Sequence, residues 1–424
     1  MDKSIWYLDL NKDEYKSLQE DINVDVLVIG GGISGILAAK KLQDNGFKTV
    51  VVDKSRIGMG NTSKTTAFLT VQHETLYQDL SFDKRSEYLK LNNDAFKEYE
   101  ELSKKYNFDF EYTDSCLFSE DENKIRKEYE VLKRMDQDVD IIDNVPLFEL
   151  NKGIKFKRQA VINPIKFLNE MAKGLTIYEH TDIVELNDNI AIVDNGNKIS
   201  FKYCVIATHY PINNKANLLF MKLTQRRSYV VAVKHEDIDG TYCSIDNDGM
   251  YFRMYKDYLI IGGNDRETGS KCIKDFEESV CTKLNINKDV IEFSWSGQDC
   301  ITIDGIPYIG YSDVFHKNHI IITGFNFWGF TWAMASSNIV LDIIKNHKPC
   351  KLTKPNRFFI KKRLFKNLKT SFVNLLRIKK PRCSHLGCVL TYNKKEHAWE
   401  CPCHGSRFNE EKQVTNGPAQ TGFK

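Results

Sequence analysis

Two kinds of hydrophobic pattern alternate along this chain. Val24–Ile29 is an unbroken apolar, β-branched run ending in glycines, as in a parallel strand buried on both faces. A helix is predicted from about Ser34 to Asn45, closed by Gly46, and Thr49–Val52 reads as a second buried strand. The three make a β-α-β unit. From Asp83 to Tyr106 the pattern turns charged and helical, with Tyr88, Leu91, Phe96 and Tyr99 on one stripe. Short strands and a charged helix near Glu122–Met135 fill 108–160. Tyr203–Ala207 is again a buried strand. Between Ser228 and Gly263 alternation dominates (Tyr229–Val233, Met250–Met254, Tyr258–Ile261), as expected of an antiparallel sheet with one face on solvent or a substrate. Ile320–Thr323 returns to a buried strand, followed by the turn Gly324–Gly329 and a helix from about Thr331 to Lys345.

This order predicts a discontinuous α/β nucleotide-binding domain (about 21–80, 155–225 and 294–350) carrying an α+β domain with an antiparallel sheet (about 81–154 and 226–293). A basic linker helix, 351–381, and a small module, 382–424, complete the chain.

With 424 residues the chain is too long for one ordinary core, and 42% apolar with 28% charged residues is a globular composition. The start, Met1-Asp-Lys-Ser-Ile-Trp6, has no secretory pattern, and no apolar run reaches the roughly 18 residues of a membrane span. A cytoplasmic protein is the simplest reading. Seven of the 11 cysteines are scattered singly, whereas Cys383, Cys388, Cys401 and Cys403 crowd together with His385 and His404, which points to metal before a disulfide scaffold. The net charge of +3 hides an asymmetry: residues 351–382 hold 12 Lys/Arg and no acid, and without them the chain carries −9.

Gly30-Gly-Gly32-Ile-Ser34-Gly35 fits G-x-G-x-x-G between a buried strand and a helix, and Asp53 ends the next strand. Glycines let the backbone approach a pyrophosphate at the helix N-terminus, and the acid hydrogen-bonds a ribose, so a dinucleotide site is expected. Lys54 and the small residues after it, with Thr62, Thr65 and Thr66, suit a second phosphate and a polyol chain. With Ala207-Thr-His209-Tyr-Pro211, Trp295-Ser-Gly-Gln-Asp299, Asp304–Gly310 and Gly324-Phe-Asn-Phe-Trp-Gly329 before Thr331, residues 22–347 resemble the D-amino-acid oxidase/glycine oxidase-like family. The resemblance implies FAD held by Gly30, Gly32, Ser34, Gly35, Asp53, Lys54, Thr62, Thr65 and Thr66. It places Gly324, Gly329 and Thr331 along the isoalloxazine, and a Rossmann-like FAD domain beside a substrate domain.

Cys383-Ser-His385 and Cys401-Pro-Cys-His404 are two Cys/His pairs separated by a hairpin-sized insert. A Rieske cluster needs two thiolates on one iron and two imidazoles on the other, whereas zinc pairs usually run Cys–Cys and His–His. The module is similar to Rieske [2Fe–2S] domains, implying Cys383, His385, Cys401 and His404 as ligands. It also implies a disulfide between Cys388 and Cys403, as in the cytochrome-complex branch, and a cover loop at Gly417-Pro-Ala419. Two departures stand out. The strands that normally precede the first ligand loop are missing, so the shortened module must lean on something else, most simply the FAD domain. Phe408 stands where quinol-oxidising relatives carry a tyrosine that donates to a ligating sulfur, while Ser406 is retained, so an intermediate potential is expected.

The linker from Phe358 to Ile378 has apolar residues at helical spacing with Lys and Arg between them. It suits a strap between modules; peripheral membrane or partner contact through 358–380 is the second reading, and nucleic acid is not expected. The expected function is a flavin dehydrogenase of an amine or amino-acid-like molecule, exporting electrons singly through the cluster to an external acceptor. A carrier reduced by NAD(P)H or a partner protein, and a non-catalytic redox sensor, are the alternatives. For the substrate, Tyr251, Arg253 and Tyr255 share one face of a strand, Arg253 being suited to a carboxylate, and His209 follows a return strand.

Overall fold

The computed structural model describes residues 3–10, 14–148, 152–246, 249–270, 275–313, 316–357, 362–378 and 380–424. The linker residues 358–361 and 379 lie outside the described residues. In chain order the elements that position the site are β1 (Ile22–Ile29), α1 (Ile33–Asp44), β2 (Thr49–Val52), α2 (Phe82–Ser103), β3 (Glu111–Ser119), β4 (Lys152–Val161) and β5 (Lys198–Ile206). They continue with β6 (Leu223–Lys234), β7 (Tyr251–Tyr255), β8 (Tyr258–Glu267), β9 (Phe293–Thr302), β10 (His319–Thr323), α3 (Gly329–Asn346) and α4 (Lys362–Leu376). The C-terminal module adds β11 (Thr391–Asn393), β12 (Ala398–Glu400), β13 (Arg407–Phe408) and β14 (Val414–Asn416).

β10, β5, β1 and β2 lie side by side in parallel, the Rossmann-like arrangement expected of the apolar runs. α1 and α3 cover one face, burying Ile36, Leu37, Trp332, Val340 and Ile343 with Val26 and Val28. The second sheet is mainly antiparallel and runs β9, β6, β8, β7, Thr241–Ser244, β3, β4. Two boundaries differ from the sequence reading. β4 pairs with β3, and β9 pairs with β6 over ten residues, so both belong to the second, mainly antiparallel sheet and not to the parallel one. Their mixed polar and apolar patterns, Lys-Gly-Ile-Lys-Phe-Lys-Arg-Gln-Ala-Val and Phe-Ser-Trp-Ser-Gly-Gln-Asp-Cys-Ile-Thr, do not name a sheet, and only long-range pairing assigns them.

The C-terminal module is a small antiparallel sheet, β11-β12-β13-β14. Its own apolar cluster is small and includes four cysteines with Leu390, Phe408, Ala419 and Phe423. So few side chains make a marginal core, and the module leans on the rest of the chain. α4 ties the two together: Leu364 is buried, Asn367 Nδ2 donates to Met221 O (3.4 Å), and Val389 N donates to Asn374 O (3.3 Å).

Candidate redox site

The end of β1 and the start of α1 form a tight cradle. Gly30 has φ +107°, and a Cβ there would lie 2.5 Å from Ala207 O; one on Gly35 would lie 1.9 Å from Gly30 O. Asp53 is held by Gly31 N–H (2.7 Å) and Ser55 N–H (2.8 Å), and Thr62 Oγ1 accepts from Ile33 N (3.0 Å). Beyond the cradle opens a cavity of about 1410 Å³, above the roughly 300–1,000 Å³ of ordinary small-ligand pockets and roomy enough for a dinucleotide with a substrate. Gly30, Gly32, Ser34, Asp53, Lys54, Thr62, Thr65, Thr66, Gly324 and Gly329 line it, as do Tyr251 and His209. The cradle that only glycine tolerates and the fixed acid fit the pyrophosphate and ribose of FAD.

Four expected site residues stand elsewhere. Gly35 is absent from the cavity wall and instead lets α1 close on β1. Thr331 is buried behind the wall, where its hydroxyl meets His73 Nε2 (3.2 Å). Arg253 and Tyr255 lie on β7 with Tyr251 but further from the cavity. Arg253 is 1% exposed, donates to Ile162 O (3.0 Å) and stacks near Trp6, and Tyr255 donates to Asp109 (3.0 Å). The N-terminal segment carrying Trp6 covers that part of the face, which no local pattern signals.

The cavity also gathers charged groups that sequence reasoning missed: Glu74, Arg226, Asp265 and Arg363. Asp299, noted only within a motif, joins them. Burial, then the nearby Asp265, pushes Asp299 up to about 7, and burial pushes Asp265 up to about 6 against the pull of Arg226. Burial lowers His209 to about 4, leaving a neutral imidazole whose Nε2 has no partner among the described residues.

β6 and β9 stand between this cavity and part of the C-terminal module, and strand alternation gives them two faces; elsewhere the module's own residues 411–423 line the cavity. Arg226, Ser228, Gly297 and Asp299 line the cavity. Between them, Arg227, Tyr229, Ser296 and Gln298 reach the module. Gln298 Nε2 donates to Gly405 O (2.8 Å), and Gln225 Nε2 donates to His404 O (2.8 Å) and Gly417 O (2.7 Å). Beside these, Glu396 takes Arg227 Nε (2.8 Å), Arg407 Nη2 (2.8 Å) and Tyr229 OH (2.7 Å), while Glu400 takes Arg266 Nη1 (3.1 Å). Burial alone would raise the Glu396 carboxyl, but Arg227 and Arg407 outweigh it and hold the group well below the usual range.

On the module side the two ligand loops share one turn. Gly387 N donates to Cys383 O and Gly405 N to Cys401 O, each at 2.9 Å, and both glycines have φ near +80°. Cys383, His385, Cys401 and His404 converge, with the imidazole centroids 5.0 Å apart. Nδ1 of both histidines is buried and has no hydrogen-bond partner among the described residues, as atoms reserved for iron should be. His385 Nε2 donates to Asn214 Oδ1 (2.8 Å), and Asn214 Nδ2 donates to Pro211 O (3.2 Å), which fixes the amide and hence the tautomer. Cys388 and Cys403 form a disulfide packed against Cys401. Ser406 Oγ accepts from Ala419 N (3.0 Å) in the cover loop. This donor set, two thiols and two bare imidazole nitrogens, fits a Rieske cluster.

The FAD dependent oxidoreductase (DAO) family model matches residues 25–343. The chain belongs to that family. The Rieske [2Fe-2S] domain model matches 372–424, so this is an FAD-dependent oxidoreductase with a [2Fe–2S] module. It is similar along its length to the Bacillus subtilis "Putative Rieske 2Fe-2S iron-sulfur protein YhfW", 27% identical over 98% of this chain and 96% of the relative. Gamma-glutamylputrescine oxidoreductase of Escherichia coli is 21% identical over 78% of this chain and 86% of its own. Among solved structures, L-proline dehydrogenase from P. horikoshii superposes with a TM-score of 0.66 at 21% identity, covering 80% of this chain and 98% of that one.

Proposed function

We propose that the protein is a dehydrogenase of a small amine or amino-acid-like substrate, whose electrons pass from the cavity to the cluster module that borders it and leave singly to an external acceptor. The observation that carries this reading is that the cluster module borders the cavity directly: its residues 411–423 line it, and within β6 Arg226 faces the cavity while Arg227 reaches Glu396 of the module. FAD supplies a two-electron acceptor when bound, and the cluster a one-electron one. Gly30, Gly32, Ser34, Asp53, Lys54, Thr62, Thr65 and Thr66 would hold the dinucleotide, with Gly324 and Gly329 beside its ring. Cys383, His385, Cys401 and His404 would hold the irons.

The chain's residues bind and orient the substrate and manage its proton. An amine must shed its ammonium proton before the neighbouring C–H can leave as hydride, and Asp299 is a buried carboxyl suited to take that proton at neutral pH. Arg226, already paired with Asp265 (2.9 Å), and Arg363 offer positive charge for an acidic substituent. Oxidation leaves an imine, which water cleaves to a carbonyl compound and a free amine or ammonia. His209 and Tyr210 run from the cavity to the module: Tyr210 lines the former, and its Cβ lies 3.9 Å from where a Cβ on Gly417 would stand.

Anaerobic mixing with a panel of amines and amino acids, followed by absorption and EPR spectroscopy, tests the reading. One substrate should bleach the flavin and then raise the rhombic signal of a reduced Rieske cluster. In a Cys383→Ser/His404→Ala variant the flavin should still bleach, while transfer to a one-electron dye slows at least tenfold. Bleaching by NAD(P)H alone would point to a carrier, and undiminished dye reduction by the variant would remove the cluster from the path.

A further inference from the structure

α4 is bound on its inner face and bare on its outer one. Leu364, Asn367 and Asn374 face the protein. On the opposite side Phe365 is 61% exposed, Phe372 64% and Leu376 65%, joined by Leu368, Leu375 and, just past the helix, Ile378. At 100° per residue, Phe365, Leu368, Phe372, Leu375 and Leu376 form one stripe about a quarter-turn wide. A strap needs its inner face alone; an apolar outer stripe in water is a cost, and a patch of this kind marks a contact surface.

The charge around the stripe identifies the contact. Lys369 is exposed along one edge and Arg377 and Lys380 stand at its end, while Lys366, further round, is held by Glu267 (2.5 Å); no acidic residue occurs between 351 and 382. Apolar side chains flanked by flexible cations match an anionic bilayer, where rings and leucines enter the acyl boundary and lysine stems reach back to the headgroups. A protein groove would have to be both apolar and acid-rimmed to do the same. No helix among the described residues is long and apolar enough to cross a membrane, so the contact is peripheral.

We infer that α4 docks the protein on the surface of an anionic membrane. The placement bears on electron exit, because the end of the helix adjoins the first ligand loop: a Cβ on Gly387 would lie 3.9 Å from Leu375 Cδ2, and Arg382, past the helix, donates from Nη1 to both Leu375 O (3.3 Å) and Gly387 O (2.6 Å). Docking therefore brings the Cys383–Gly387 loop beside the bilayer. The inference stands independently of which substrate reduces the flavin.

Flotation of the FAD- and iron-loaded protein with vesicles tests it. The protein should rise with phosphatidylcholine vesicles containing about one-third phosphatidylglycerol, stay behind with pure phosphatidylcholine, and be released by high salt. Lys369→Gln should weaken partitioning about fivefold, the effect of one basic residue near an anionic surface. Phe372→Glu/Leu376→Glu should abolish it while leaving flavin and cluster absorption and thermal unfolding unchanged, since both side chains point away from the protein. Absence of wild-type binding to acidic vesicles, or binding that survives the double substitution, overturns the inference. So does sedimentation as a dimer that the double substitution splits, because the stripe would then be covered by a second copy of the chain.

Discussion

At the scale of single residues, two side chains carry most of the testable chemistry. Asp299 is pushed up to about 7 by burial and by Asp265. If its carboxylate takes the ammonium proton, kcat/KM for the substrate should climb as pH rises through about 7, and in Asp299→Asn that limb should vanish with a loss of at least tenfold at the plateau. A steady-state pH profile of both proteins decides it; an unchanged limb in Asn would assign the titration to another group. Phe408, fully buried and packed edge-on against Phe423, is the second. Phe408→Tyr should raise the cluster midpoint in a redox titration, because a hydroxyl donated to a ligating sulfur favours the reduced, more negative state. Both residues could be noticed in the chain, Phe408 by its place after the second ligand loop and Asp299 within its motif. Glu74 and Arg363 could not. They lie nearly 300 positions apart, in a turn and in a linker, and share a cavity only after folding.

At the scale of elements, β6 and β9 show how much one strand can decide. Their alternation was legible as a pattern, but the identity of each face was not, because period two says only that neighbours diverge. Here the divergence turns Arg226 to the flavin cavity and Arg227 to the cluster module, whose residues 411–423 also line that cavity. The module's second ligand loop is fitted closely to these strands: a Cβ on Gly405, at φ +80°, would lie 2.6 Å from Gln225 Cβ. Gly405→Ala should therefore cost about 1–3 kcal/mol from strain and overpacking. It should also slow flavin-to-cluster transfer in single-turnover kinetics more than it slows flavin reduction. Equal slowing of both steps would mean that these strands do not position the cluster. α4 was predicted as a basic amphipathic helix, but only packing shows that the side it presents to the protein is the less apolar one.

For the whole molecule, the two modules are joined by buried ion pairs in which Arg227, Arg266 and Arg407 surround Glu396 and Glu400. Removing one partner of such a group typically costs about 3–5 kcal/mol, because it leaves an uncompensated buried charge. The Glu396 carboxyl is depressed in the folded state, so its contribution is present above its unfolded value, about pH 4.3, and fades as pH falls below that. Calorimetry from pH 8 down to pH 3 should show the wild-type cluster module losing stability steeply below about pH 4.5. In Glu396→Gln stability should be lower throughout, with a shallower acid slope; parallel curves would exclude Glu396 as the acid-sensitive contact.

The sequence alone determined the parts whose chemistry is local. A glycine cradle followed by an acid, and two Cys/His pairs on short loops, are built from neighbours in the chain, and their spacing is itself the geometry. It also exposed a real shortage: a module of 43 residues with four short strands cannot bury enough apolar surface to stand alone. What covers that shortage, and where each module faces the other, only the tertiary structure decided. The arginines and glutamates of the interface come from four separate strands and a turn, and charges so distant in sequence acquire partners only when the backbone has already brought them together.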